Sequence, residues 1–195
     1  MARPSHREKI LAEGLRVVHE RGFGGASVRD IVRAAGVPQG SFTNHFASKE
    51  AFGLEVLELY FRQSQAMIDA TLGNQDLKPL ARIAAYVDGA LCRQQEDGMK
   101  NGCLVGNFSA EVADQSEPIR RRLVEMLRET EAAIAACLSA AVDAGELAAD
   151  TDVDGVAGVI QAGLQGATLI AKAERSPEPV ERFKRVLFGA VLRAA

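Results

Sequence analysis

The stretch Ser27-Val-Arg-Asp-Ile-Val-Arg-Ala-Ala-Gly-Val-Pro-Gln-Gly-Ser-Phe-Thr-Asn-His-Phe46, followed by Ala-Ser-Lys49-Glu50, constrains this chain more than any other feature. Ser27 and Asp30 stand in the S-x-x-D relation of a capping box. The hydroxyl closes one orphan N–H and the carboxylate another, so a helix is expected from Val28. Ile31, Val32 and Ala35 share one face of that helix. Gly36 permits a tight turn at low steric cost, and Pro38 suits the first position of a second helix, where a missing N–H does no harm. The spacing predicts a helix-turn-helix.

The faces of the second helix set its chemistry. Phe42 and Phe46, four residues apart, are expected to anchor it in a small core. The opposite side then presents Gln39, Gly40, Ser41, Thr43, Asn44 and His45. Gln and Asn can pair in bidentate fashion with adenine, and the Thr methyl can touch a thymine methyl. Gly40 lets backbone approach phosphate. Lys49, after the candidate N-cap Ser48, is placed for a phosphate oxygen. Ser27 and Arg29, where the first helix opens, complete the candidate DNA-binding set. The competing reading is an ordinary solvated helix, polar on its outer side.

The pattern G-F-x-x-A-S-V-R-D-I-V-x-A-A-G-V-x-x-G-S-F-x-x-H-F-x-S-K-E, within residues 7–52, resembles the N-terminal domain of the TetR family of bacterial repressors. Two positions depart from the family's habit. Val32 replaces a smaller residue, often Ala. Thr43 replaces a Tyr that supports a phosphate contact, keeping the hydroxyl but losing reach. The resemblance implies an all-α chain: a three-helix DNA-binding domain over residues 1–48 and a six-helix ligand-binding and dimerisation domain over 49–195. It further implies a homodimer, whose last two long helices pair across a two-fold axis and which binds a palindromic double-stranded operator.

Charge divides along the same line. Residues 1–50 carry eight basic and five acidic side chains, a balance of +3. The remainder carries fifteen and twenty-one, a balance of −6, so the net −3 hides a basic head on an acidic body. Arg3, His6, Arg7 and Lys9 are placed to approach a sugar-phosphate backbone, or else belong to a solvated terminus. The start lacks the apolar run of a signal peptide. Three cysteines at scattered spacing do not form a disulfide framework, and a cytoplasmic chain with reduced thiols is expected. The run from Val153 to Ala173 is the one membrane candidate. Asp154, Gln161 and Gln165 interrupt it, and the expectation is a buried helix with no membrane partner.

Beyond the head the pattern is helical throughout. Helices are expected at about residues 5–21, 49–71, 77–95, 103–113, 116–144, 152–175 and 176–192, besides the paired short ones. Gly155, Gly158, Gly163 and Gly166 crowd one helix. Each costs up to about 1 kcal/mol against Ala, so a close approach by another backbone or a ligand is expected there.

No catalytic constellation appears. The histidines lack a partner Ser or Cys at a recognised spacing, and there is no H-E-x-x-H, paired C-x-x-C, G-x-x-x-x-G-K or G-x-S-x-G. No metal or cofactor is expected. Gly22-Phe-Gly-Gly-Ala-Ser lies between helices rather than after a strand, and is discarded as a dinucleotide fingerprint. Cys103 stands apart: it follows Lys100-Asn-Gly and opens a helix, where N–H groups and an ammonium favour thiolate. Cys92 and Cys137 are expected to be inert packing residues. Gly102 to Glu117 and Gln165 to Ser176 resemble the branch of the TetR family responding to N-ethylmaleimide, reactive aldehydes or acrylate. That resemblance implies that Lys172 partners a reactive Cys103; Lys100 is the alternative helper. Cys103 then senses an electrophile or oxidant, or else merely lines a pocket for an unreactive inducer. Tyr60, Tyr86, Phe108, Gln161 and Gln165 are expected in that pocket, with Met67 and Met99. Two other functions stay open: a ligand-independent DNA-binding activator or scaffold, and an enzyme carrying a helix-turn-helix.

Overall fold

The computed structural model describes residues 5–193; Arg3 lies outside them. Among the described residues the secondary structure is helical, without strands. The elements are α1 (His6–Arg21), α2 (Val28–Ala34), α3 (Gly40–His45), α4 (Lys49–Thr71), α5 (Pro79–Glu96), α6 (Leu104–Glu111), α7 (Glu117–Asp143), α8 (Val153–Glu174) and α9 (Glu178–Val186), closed by a π-helical turn over Leu187–Val191. Local chemistry explains most starts. Ser5 forms a capping box with Glu8, Ser27 with Asp30, and Asp152 accepts from the Gly155 N–H at 3.0 Å. Pro79 opens α5, where its ring is pre-set for a helix.

The chain forms two compact units, discontinuous in sequence. One runs to Gln63 and takes in Leu104–Val124; the other holds Ser64–Cys103 and the chain from Glu125 onward. A single cut at 48/49 therefore does not follow the compact units, because the first turns of α4 pack with the helices before them.

In the first unit α1, α2 and α3 pack on one another, around Ile10, Val18, Ile31 and Phe52, all fully buried. Phe42, Phe46 and Phe52 form a ring cluster with centroids 5.0–5.2 Å apart, an arrangement in which aromatic edges meet faces. Gly14 on α1 makes room for it. On α4 the buried set is Phe52, Gly53, Val56, Leu57, Tyr60 and Phe61.

The second unit has its own core, built on Ile83, Ile134, Leu138, Ala141, Ala157, Ile160 and Ala171. Helix α8 is long and apolar enough to cross a membrane by length and composition. Here its Ala157, Ile160, Leu164, Ala167 and Ala171 face protein. Gly163 is where α9 comes close: a Cβ there would stand 2.5 Å from the Phe183 ring. Gly166 meets nothing within 4 Å and belongs to an outer face with Val159, Leu169 and Ile170, exposed by 56%, 63% and 44%. The expected close approach thus holds at Gly163 and not at Gly166. The last helix does not run unbroken to residue 192. It widens after Val186 into the π-helical turn, in which the Leu192 N–H donates to the Leu187 carbonyl at 2.8 Å. Leu187 and Leu192 are buried, while Val186 and Val191 face outward.

Replacing Gly14 by Ala tests the packing of the first unit. The added Cβ would lie 2.3 Å from Phe52 Cζ and 3.3 Å from Ile31 Cγ2, against a ring that is fully buried. Helix propensity alone favours Ala by about 1 kcal/mol. Overpacking costs about 1–3 kcal/mol and wins here, so urea denaturation is expected to show net destabilisation of Gly14→Ala.

Candidate nucleic-acid interface and cysteine site

The reading surface is built from its caps upward. At the start of α2 the Asp30 N–H donates to Ser27 Oγ at 3.1 Å, and the Ser27 N–H donates to the Asp30 carboxylate at 3.3 Å. The Ser27 hydroxyl donates to the same carboxylate and, as the main cause, holds its pKa below the usual range. Arg21 Nη1 adds an ion pair to Asp30 at 3.3 Å. Arg29 is exposed beside this cap. The turn after α2 passes through Gly36 at φ +62°, and the Val37 N–H returns to the Val32 carbonyl at 3.1 Å.

Helix α3 is short, with Gln39 at its N-cap and Phe46 extended at its end. Its core side is Phe42, and Phe46 follows just past the helix. Gln39, Gly40, Thr43, Asn44 and His45 are exposed together, as expected. Thr43 Oγ1 donates to the Gly40 carbonyl at 3.1 Å, leaving its methyl and its lone pairs for a partner. Ser41 departs from the expectation. It is only 8% exposed, and its Oγ lies 3.5 Å from His6 Nδ1, because so short a helix has the flank beside Phe42 covered by α1. Arg7, read as either a phosphate contact or part of a solvated terminus, pairs with Glu55 and lies over the Phe46 ring at 5.6 Å. Ser48 caps α4, accepting from the Ala51 N–H at 3.0 Å. Lys49 places its Nζ 4.8 Å from the centre of the Phe23 ring. Burial lowers its pKa, and the charge of Glu111 opposes that.

The second site lies wholly in the second unit. Cys103 is half-buried and directly precedes α6. Gln165 Nε2 donates to its Sγ at 3.3 Å. Gln161, Gln165, Thr168 and Lys172 follow at spacings of four, three and four, one face of α8. Lys172 runs its stem along Gly102: a Cβ on that glycine would stand 3.2 Å from Lys172 Cδ and 4.0 Å from Thr168 Cγ2. The loop carrying the thiol is braced twice. Asp97 accepts from the N–H groups of Lys100 and Asn101 at 3.0 and 3.2 Å, and Arg175 Nη1 donates to the Met99 carbonyl at 2.9 Å. Met99 and Arg175 both hold left-handed backbone, at φ 63° and 52°. Tyr86 is buried beside this group. Its phenol is pushed up to about 12, first by burial, then by the nearby charge of Cys103, against the pull of Arg93.

The structure therefore brings Cys103, Gln165, Lys172 and Tyr86 to one locality. Lys100 offers the loop a backbone N–H, while its side chain is exposed. Tyr60 and Phe108 were expected beside the thiol. Both belong to the first unit, where Tyr60 meets the His19 ring edge-on at 5.5 Å and Phe108 packs on Phe23 at 5.1 Å. Cys137 is buried as expected, its Sγ donating to the Pro79 carbonyl at 3.3 Å and its pKa raised by burial. Cys92 is exposed rather than a packing residue, since it falls on the outer side of α5. Sequence reasoning missed Arg175, Asp97 and Thr168. It also missed Gln94, whose Oε1 is buried without a hydrogen-bond partner. Among the described residues no three His, Cys, Asp or Glu side chains gather as a metal site.

Comparison with known proteins places both halves. Residues 10–56 match the family described as "Bacterial regulatory proteins, tetR family", and residues 79–187 match "Tetracyclin repressor-like, C-terminal domain". The chain belongs to the TetR family. It is a helix-turn-helix transcriptional regulator of that family. The HTH-type transcriptional repressor DhaR of Mycobacterium sp. (strain GP1) is 38% identical over 98% of this chain and 95% of its own length. The crystal structure of the reduced form of E. coli NemR superposes with a TM-score of 0.87 at 32% identity, over 97% of each chain. A cysteine mutant of the TetR-family regulator CifR, bound to 26 bp double-strand operator DNA, superposes at 0.80 with 26% identity over 95% of this chain and 98% of that one.

The Tyr86 environment makes a pH prediction. A phenol whose folded pKa lies above its unfolded value, about 10, contributes stability below pH 10 that is lost as pH rises toward 12. The chain has two tyrosines, so Tyr60→Phe leaves Tyr86 alone. Absorbance titration of that variant is expected to show ionisation near pH 12, or abrupt ionisation with unfolding before it; a midpoint near 10 in folded protein contradicts the described burial.

Proposed function

We propose that this chain is a homodimeric repressor of a palindromic operator, released when a small molecule or an electrophile engages Cys103. The observation that carries the DNA half is α3: Gln39, Thr43, Asn44 and His45 stand exposed on a helix whose other side is pinned by Phe42. Residues 1–48 are its reading part, with Arg29 there and Lys49 just beyond it at phosphates, and Gln39 and Asn44 at base edges. Residues 49–195 are the regulatory part. The protein acts in the cytoplasm, does no catalytic turnover and needs no cofactor.

The outer faces of α8, the end of α9 and the π-helical turn support a two-fold partner. Val159, Leu169, Ile170, Val186 and Val191 leave large apolar side chains in water. A second copy laid against them forms an isologous interface. Such a dimer presents two copies of α3 to half-sites about 34–36 Å apart.

At the cysteine site the thiol adds to an electrophilic carbon–carbon double bond: sulfur forms the new bond and the thiol proton ends on the neighbouring carbon. Gln165 orients the sulfur, and Lys172 and the buried phenol of Tyr86 supply donors to a carbonyl beside that bond. Modification then favours a state that binds operator less well. Near-complete switching needs a preference of about ten-thousandfold, about 5.5 kcal/mol.

These outcomes test the proposal. On a fragment from upstream of its own gene, the reduced protein is expected to bind with an affinity that falls as salt rises. Gln39→Ala and Asn44→Ala should each lose about 1–3 kcal/mol of discrimination against unrelated DNA. N-ethylmaleimide should release the fragment, Cys103→Ser should abolish that release, and Cys92→Ser should leave it unchanged; release that survives Cys103→Ser removes the sensing role. For the assembly, Leu169→Glu buries a charge in the proposed interface, so light scattering should report a monomer and operator affinity should fall with it.

A further inference from the structure

The glycine-rich turn Gly22-Phe23-Gly24-Gly25 gains a role from what it touches. Every contact lies within the first unit. The Gly24 N–H donates to Glu111 Oε2 at 3.2 Å, although the two residues are far apart in sequence. Gly22 holds φ +78°, and a Cβ there would stand 2.6 and 2.8 Å from the two Glu111 carboxylate oxygens. The positive φ favours glycine there, and a side chain would push the Glu111 carboxylate from its place. Three residues before Glu111, on the same face of α6, Phe108 lays its ring against Phe23 at 5.1 Å. Phe23 in turn carries Lys49 Nζ at 4.8 Å on its face, and Gly53 admits its edge, since a Cβ on Gly53 would stand 2.6 Å from Phe23 Cε2. The Glu111 charge also acts on the Lys49 ammonium.

One end of α6 therefore grips the turn that leads into α2, together with the lysine that opens α4. The other end begins at Leu104, directly after Cys103. The helix between has 8 residues, a rod of about 12 Å.

We propose that Glu111, with Phe108, is a positioning clasp: it holds the Gly22–Gly24 turn and Lys49 in the arrangement that binds operator. The clasp does not rest on the sensing reading above. Glu111 touches no DNA in this account and acts through the turn and the lysine.

The test uses the full-length protein, with the upstream fragment as probe. Operator affinity is read by fluorescence anisotropy, folding by thermal melts, and the turn itself by hydrogen exchange at the Gly24 amide. Glu111→Ala is expected to melt within a few degrees of its parent and to bind operator about tenfold more weakly, the scale of one charged hydrogen bond with its neighbour. Its Gly24 amide should exchange faster than the parent's. Glu111→Gln keeps an acceptor for Gly24 without a charge for Lys49, and should fall between them. Parental affinity in Glu111→Ala overturns the clasp. A parent that does not retain the fragment overturns the operator reading instead, and the clasp is then decided by exchange alone: faster exchange at Gly24 upholds it and an unchanged rate overturns it.

Discussion

The stacking of Phe42, Phe46 and Phe52 against α1 is the contact on which the rest of the molecule depends. A six-residue helix cannot persist on its own backbone hydrogen bonds, since nucleation alone outweighs the few it makes. What holds α3 in place is one ring from within it, one from just beyond its end and one from α4, meeting at 5.0–5.2 Å. Gly14 makes the arrangement possible by leaving the space that a side chain on α1 would fill. With its inner side fixed in this way, α3 needs no polar side chain for its own stability, and Gln39, Asn44 and His45 are left for another molecule.

The second unit solves a different problem. It keeps a thiol, an amide and an ammonium stem close together beside a phenol that burial holds in its neutral form. The loop that bears the thiol has Met99 in left-handed backbone, and Arg175, which braces it from the end of α8, is left-handed too; a hydrogen bond joins them. Such backbone costs of order 1–3 kcal/mol per residue and persists only where surroundings over-determine it. Helix α8 meanwhile serves two clients: its inner residues complete the core and the thiol's neighbourhood, and its outer ones remain apolar in water.

What could be read from the chain beforehand was whatever depends on neighbours in sequence. The Ser27–Asp30 box, the Gly36 turn, the Ser48 cap and the bounds of α4 are local chemistry, and they stand where spacing put them. The resemblance to a family paired Cys103 with Lys172 and put Gln165 only in a pocket lining; the bond from Gln165 to Cys103 has no signature in spacing. Failures came from the third dimension. Ser41 was assigned to the open side because helical angles ignore a crossing helix. The bond from Gly24 to Glu111 has no local signature at all, and the motif that marks one end of it looked like a failed nucleotide loop.

The widened turn at Leu187–Val191 has a consequence for how the chain's end is read. In a regular α-helix, residues five apart point about 140° away from one another. Bonding five residues back instead lets Leu187 and Leu192 both point to the interior while Val186 and Val191 both look outward. The two faces are thus locked into a single register, one residue out of phase. Deleting or inserting one amino acid here would trade them, sending leucines to solvent and valines inward, so this short segment tolerates changes of identity far better than changes of length.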